Sequence, residues 1–150
     1  MIRRFGEPVR REIRYRLRPG AYALLVRGAE VLLTHQSRPT PEMQLPGGGV
    51  DPGEHPGRAL HREVREETGW TISPARRLGA FRRFTYMPDY GYWAEKLCHI
   101  YIARPTLQIS PPTEPHHTAI WVPLAGAAEM LGNEGDRHFL RAFTRNRRVR

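Results

Sequence analysis

With one cysteine in 150 residues, Cys98, the chain has no partner for an intramolecular disulfide. That cysteine sits in an apolar stretch, which predicts a buried, inert thiol rather than a nucleophile. No apolar run approaches the roughly 18 residues that cross a bilayer, so no membrane-spanning helix is expected. The charged start, Met1 to Pro8, is not followed by an apolar segment of the kind a secretory signal carries. These absences together predict a cytoplasmic protein. Lysine is nearly missing too: Lys96 is the only one among 24 basic residues, so the formal charge of +9 rests on arginine. A genome-wide codon bias produces the same skew, and the arginine count alone does not argue for nucleic acid.

The arginines crowd the two ends: Arg3, Arg4, Arg10, Arg11, Arg14, Arg16 and Arg18, then Arg137, Arg141, Arg145, Arg147, Arg148 and Arg150. The expectation is a solvated, flexible arm over about residues 1–11 and a similar tail over about 144–150. The alternative is that these ends attract a polyanion. A chain of this length suits one compact domain spanning 1–150.

Between the ends the patterning is mixed. Glu12–Arg18 alternates polar and apolar, predicting a strand with Ile13, Tyr15 and Leu17 inward and a break at Pro19-Gly20. Ala21–Val26 and Val31–His35 flank Gly28-Ala29-Glu30 and read as a hairpin. A helix is expected from Pro56, proline being tolerated in a first turn, to Gly69, which suits a left-handed cap. Strands follow near Leu78–Thr85, Trp93–Ala103 and Ile120–Val122, a proline-rich loop over Thr106–Pro115, and short helices over Leu124–Leu131 and Asp136–Phe143. This mixture points to an α/β class, with layers about a sheet.

The chemistry is concentrated between Pro46 and Trp70. On a helix, Glu63, Glu66 and Glu67 stand at i, i+3 and i+4 and share one face. Leu60 and Val64 fall beside that stripe, while Arg58 and Arg65 face away. Crowded carboxylates at a core boundary repel, and hard divalent cations such as Mg²⁺ or Mn²⁺ relieve that repulsion through oxygen ligands. Gly47, Gly48 and Gly49 permit close backbone approach, so a carbonyl of this loop can complete a metal shell. Glu54, eight residues before Arg62, is placed to pin the loop to the helix as an ion pair.

Gly48, five residues, Glu54, seven residues, then Arg62-Glu63-Val64-Arg65-Glu66-Glu67-Thr68-Gly69-Trp70 resembles the Nudix box. Trp70 departs mildly, since that position is usually aliphatic. The resemblance implies an α/β/α sandwich around a mixed sheet, and Mg²⁺- or Mn²⁺-dependent hydrolysis of a nucleoside diphosphate linked to another group. It makes Glu63, Glu66, Glu67 and the Gly47 carbonyl metal ligands, with Arg62 and Glu54 in support. The general base is one of the glutamates or a carboxylate outside the box, for which Glu114 is the candidate. Arg38, Arg83, Tyr86, Tyr90, Trp93 and Lys96 are candidate substrate contacts, cations for phosphate and rings for a base. In such enzymes a tyrosine after the box marks many dinucleoside polyphosphate hydrolases and a proline many ADP-ribose hydrolases. Tyr86 and Pro88 point both ways. The full coenzyme A signature is absent. A small nucleotide is the expected ligand, for a monomer or homodimer. An RNA-directed enzyme or RNA-binding protein, and a non-catalytic nucleotide sensor, are the alternatives.

Overall fold

Alternation along one long strand sets the architecture. In the computed structural model, which describes residues 1–148, strand β2 (Arg16–Arg27) turns Ala21, Ala23 and Leu25 to one face. It turns Tyr22, Leu24 and Val26 to the other, so a single segment feeds two cores. The Gly28-Ala29 turn returns the chain as β3 (Glu30–Gln36), with Val26 opposite Val31, the expected hairpin.

The main sheet runs β1 (Arg3–Phe5), β7 (Arg76–Met87), β8 (Tyr92–Ala103), β2, β3 and β10 (His117–Pro123). Short strands β4 (Glu42–Gln44) and β5 (Gly47–Gly49) attach to β3 and β2. β1–β7 and β2–β8 are parallel and the other pairs antiparallel, so the sheet is mixed. β6 (Trp70–Ile72) and β9 (Pro105–Gln108) pair separately.

Helix α1 (Pro56–Thr68) covers one face, with Leu60 and Val64 set among Ala21, Ala23, Leu25 and Leu32. Helices α2 (Ala127–Met130) and α3 (Glu134–Arg148) cover the other, where Ala127, Leu131 and Leu140 meet Leu24, Leu33, Phe81, Cys98 and Ile100. This is the α/β/α arrangement. Cys98 is buried there, and burial pushes its thiol up to about 12, which makes it inert. Among the described residues no helix is long and apolar enough to cross a membrane.

Six expectations need correction. Residues 12–15 lie outside any strand, and residues 106–108, expected in a loop, belong to β9. Pro19-Gly20 does not end the strand: β2 runs through it, with Pro19 opposite Leu97 of β8. The Pro19 carbonyl accepts from Val50 N–H at 2.9 Å. A strand residue's N and C=O face the same side, so the missing N–H falls just beyond the β5 pairing and costs the β8 ladder nothing. Leu17 is exposed rather than inward. The basic arm is not free throughout, because Arg3–Phe5 is a strand and Phe5 packs edge-on to Phe81 at 5.8 Å. The C-terminal tail is helical to Arg148, where amphipathic continuation of α3 outlasts the expected end at Phe143; Arg150 lies outside the described residues.

Candidate active site

α1 begins and ends as its residues dictate. The His55 side chain accepts from Gly57 N–H at 2.9 Å, and Pro56 occupies the first turn, where its missing N–H costs nothing. At the other end Gly69 adopts φ 77° and its N–H bonds Arg65 O at 2.8 Å. A Cβ at Gly69 would overlap the Ser110 carbonyl. The last carbonyls of a helix lack partners within it, and here they capture a distant loop. Ile109 N–H bonds Gly69 O at 2.8 Å, and Thr113 and Glu114 N–H both bond Glu66 O, at 2.8 and 3.0 Å. That capture brings Glu114 to the helix.

One carboxylate oxygen from each of Glu63, Glu66 and Glu114 then lies within 4.8 Å of the others. Glu67 occupies a different position. It is 2% exposed, one oxygen accepts from Gly47 N–H at 3.2 Å, and the other has no hydrogen-bond partner. Burial raises the Glu63 pKa above its ordinary value, partly offset by Arg62, and the nearby Glu66 and Glu114 charges add to the rise. Burial, and then the Glu63 charge, raise Glu67 well above the carboxylate range. A crowded set of carboxylates with an unpartnered buried oxygen beside it is the donor chemistry a hard divalent cation fits. In the adjacent loop a Cβ on Gly47 would overlap the Ala21 carbonyl, and one on Gly48 would push the Glu63 carboxylate from its place.

Arg62 braces this arrangement from beside the cluster. Its Nε and Nη2 donate to the two Glu54 oxygens at 3.0 and 2.9 Å, a forked pair that holds the Glu54 carboxyl down at about 2. Nη2 also donates to Gly49 O at 3.0 Å, and Nη1 to Glu63 at 2.9 Å and Glu66 at 3.4 Å. The Glu54–Arg62 pairing is therefore present, and it ties loop, helix and two of the clustered carboxylates together.

Beside the cluster opens a cleft of about 710 Å³. Gly47, Gly48, Glu63, Glu67 and Glu114 line it, and so do Arg38, Arg83, Tyr86, Tyr90 and Lys96. Trp93 does not: it packs against Tyr15 at 6.2 Å and Tyr86 at 5.4 Å, and its expected role as a substrate contact is corrected to packing. Arg83 has an acidic neighbour, Glu42, at 3.6 Å.

Sequence reasoning missed His117. Its Nε2 is 3.8 Å from the unpartnered Glu67 oxygen, and its Nδ1 is 3.6 Å from Glu114. Only its spacing of three from Glu114, at the mouth of a strand, hinted at this.

Known proteins resemble this chain in sequence and in fold. An 8-oxo-(d)GTP phosphatase of Mycolicibacterium smegmatis is 34% identical over 121 residues, covering 77% of this chain and 34% of that protein. Diphosphoinositol polyphosphate phosphohydrolase 2 of Rattus norvegicus is 50% identical over 52 residues, 35% of this chain and 29% of that one. The chain spans 43%, 34% and 55% of three curated relatives it matches. A NUDIX hydrolase from Nitrosomonas europaea shares the fold with a TM-score of 0.70 at 19% identity, covering 87% of this chain and 90% of that one. A MutT protein from Methanosarcina mazei Go1 does so with 0.69 at 24%, covering 89% and 96%. The sequence model of the NUDIX domain matches residues 16–143, and the chain belongs to that family.

Proposed function

We propose that this chain is a divalent-cation-dependent hydrolase that opens a pyrophosphate bond in a nucleoside diphosphate derivative by in-line attack of water. The observation that carries the reading is the convergence of Glu63, Glu66 and Glu114 to within 4.8 Å beside a cleft that also presents Arg38, Arg83 and Lys96. Acid for a cation and base for phosphate face one space.

Glu63, Glu66 and Glu114 would hold Mg²⁺ or Mn²⁺, with Glu67 and the Gly47 carbonyl as further donors. When bound, the cation lowers the pKa of a coordinated water and offsets charge on phosphoryl oxygens. The remaining work falls to side chains. A glutamate of the set takes the proton of the attacking water. Arg38, Arg83 and Lys96 hold the phosphates, and Tyr86 and Tyr90, both exposed at the cleft, offer faces to a base. Arg62 and Glu54 keep loop and helix in register. Relatives named for 8-oxo-(d)GTP and for a CMP derivative support a nucleotide ligand, and the two tyrosines favour it over an inositol.

The test is turnover of a panel of nucleoside diphosphate derivatives with Mg²⁺ or Mn²⁺, reading the phosphate-containing products. Glu66→Gln is expected to lower kcat by about 10²–10⁴-fold, the range for loss of a base. Wild-type turnover in Glu66→Gln, Glu67→Gln and Glu114→Gln alike would refute the reading.

A further inference from the structure

The backbone aims the His117 imidazole at the acidic cluster. His117 opens β10 opposite Gln36 of β3, and alternation puts it on the same face as Ala119 and Trp121, the face that α1 covers. Just before it the chain turns sharply at His116, which adopts φ 68°. Left-handed backbone is unfavourable for a histidine, and Ser37 holds it. The Ser37 N–H and hydroxyl both donate to the His116 carbonyl, at 2.8 and 3.3 Å. His117 thereby lines the cleft with Glu67 and Glu114.

Each ring nitrogen has a defined neighbour. Nδ1 lies 3.4 Å from Pro115 O and 3.6 Å from a Glu114 oxygen. A carbonyl only accepts, so Nδ1 carries the proton and Nε2 keeps its lone pair. Nε2 faces Glu67 Oε2 at 3.8 Å, and that oxygen, on a residue 2% exposed, has no hydrogen-bond partner. The separation is too long for a hydrogen bond. It suits two atoms bound to one ion: with metal–ligand bonds of about 2.1 Å, such atoms lie about 3.0 Å apart at a right angle and about 4.2 Å apart across the ion. A histidine that ligates a metal through one nitrogen commonly donates through the other to a carbonyl or carboxylate, which fixes its tautomer. His117 meets that description. Glu63, Glu66 and Glu114 offer oxygen alone, which suits Mg²⁺, whereas an imidazole beside a carboxylate suits a first-row transition metal.

We propose that His117 Nε2 and Glu67 Oε2 are ligands of a second divalent cation, a first-row transition-metal ion taken in preference to Mg²⁺, beside the oxygen-only trio. His117 thereby sets the preference of the whole centre for Mn²⁺ over Mg²⁺. This second position rests on the reading that the cleft binds divalent cations, and not on which bond is cleaved.

The experiment saturates the full chain with Mn²⁺, removes the excess and records electron spin-echo modulation. Wild type is expected to show nitrogen coupling that changes when histidine alone carries the heavier nitrogen isotope, an arm that needs no variant to fold. His117→Gln should lose the coupling while the oxygen-only trio retains Mn²⁺. His116→Asn, an exchange that left-handed backbone tolerates, should keep it. Titration calorimetry should show the preference of His117→Gln for Mn²⁺ over Mg²⁺ lowered by about 10-fold or more, at least what loss of a supporting contact costs. Mn²⁺ bound by the wild type without nitrogen coupling overturns the proposal; His117 is then only a charged neighbour of Glu67, and the hydrolytic reading stands on the trio. Coupling that persists in His117→Gln overturns it too. Histidine coupling with no turnover of any nucleotide sinks the hydrolytic reading and leaves the ligand assignment standing.

Discussion

Arg62 shows how much one side chain can organise. Its guanidinium meets Glu54, Glu63, Glu66 and a loop carbonyl at once, so it fixes where the box carboxylates stand before any ligand arrives. The forked contact to Glu54 cannot be copied by an ammonium group. Arg62→Ala is expected to weaken Mn²⁺ binding by about 10–100-fold, the usual effect of losing a supporting contact, and Arg62→Lys to recover only part of it. Titration calorimetry with Mn²⁺ reads this directly, and unchanged affinity would show that Arg62 has no share in holding the carboxylates. The sign of the pH effect follows from the depressed Glu54 value of about 2. Whatever this pair contributes to stability is fully present above about pH 4.5 and is lost as pH falls toward 2.

Among the elements, α1 carries the site and its last turn carries the loop. Gly69 is where both meet, with φ 77° and the Ser110 carbonyl in the space a side chain would fill. Gly69→Ala is expected to cost about 1–3 kcal/mol, the range for a strained left-handed residue, and more if the loop cannot move aside. Thermal unfolding measures it, and an undisturbed midpoint would count against the cap. This helix was legible because its signals are local: proline at the start, glycine at the end, carboxylates and apolar residues at helical spacing. Glu114 was legible as a candidate base but not as a member of the carboxylate cluster, because its position depends on hydrogen bonds to Glu66 across 48 residues of chain. Trp93 was misread for the same reason, since packing and cleft faces of a strand look alike until neighbours are known. The continuation of β2 through Pro19 depended on which edge of the strand the imide nitrogen faces, and local composition is blind to that.

For the molecule as a whole, acid–base balance is set partly far from the cluster. Asp136, on α3, is buried and accepts from Leu45 N–H at 3.2 Å, joining the helix to the segment between β4 and β5. Burial lifts its pKa from 3.8 to about 6, against the pull of its hydrogen bonds and of Arg83 and Lys96. A raised carboxyl keeps its proton longer in the fold than in the unfolded chain. Its contribution is therefore greatest below about pH 4 and declines as pH rises through about 6. At 1.36 kcal/mol per unit, the change is about 3 kcal/mol. Asp136→Asn retains an acceptor for Leu45 and cannot ionise. Urea unfolding at pH 4 and pH 7 should show the wild type losing about 2 kcal/mol more than this variant over that interval, the rest being already lost at pH 4. Equal losses would mean the carboxyl is ionised throughout.

β2 is bonded to β8 along ten residues, to β5 at the glycines that face the carboxylates, and to β3 at the hairpin. The same backbone thus serves as keel for both hydrophobic layers and as anchor for the loop that would meet the phosphates. Moving Gly47–Gly49 away from the carboxylates therefore means breaking the pairing that holds these glycines to β2.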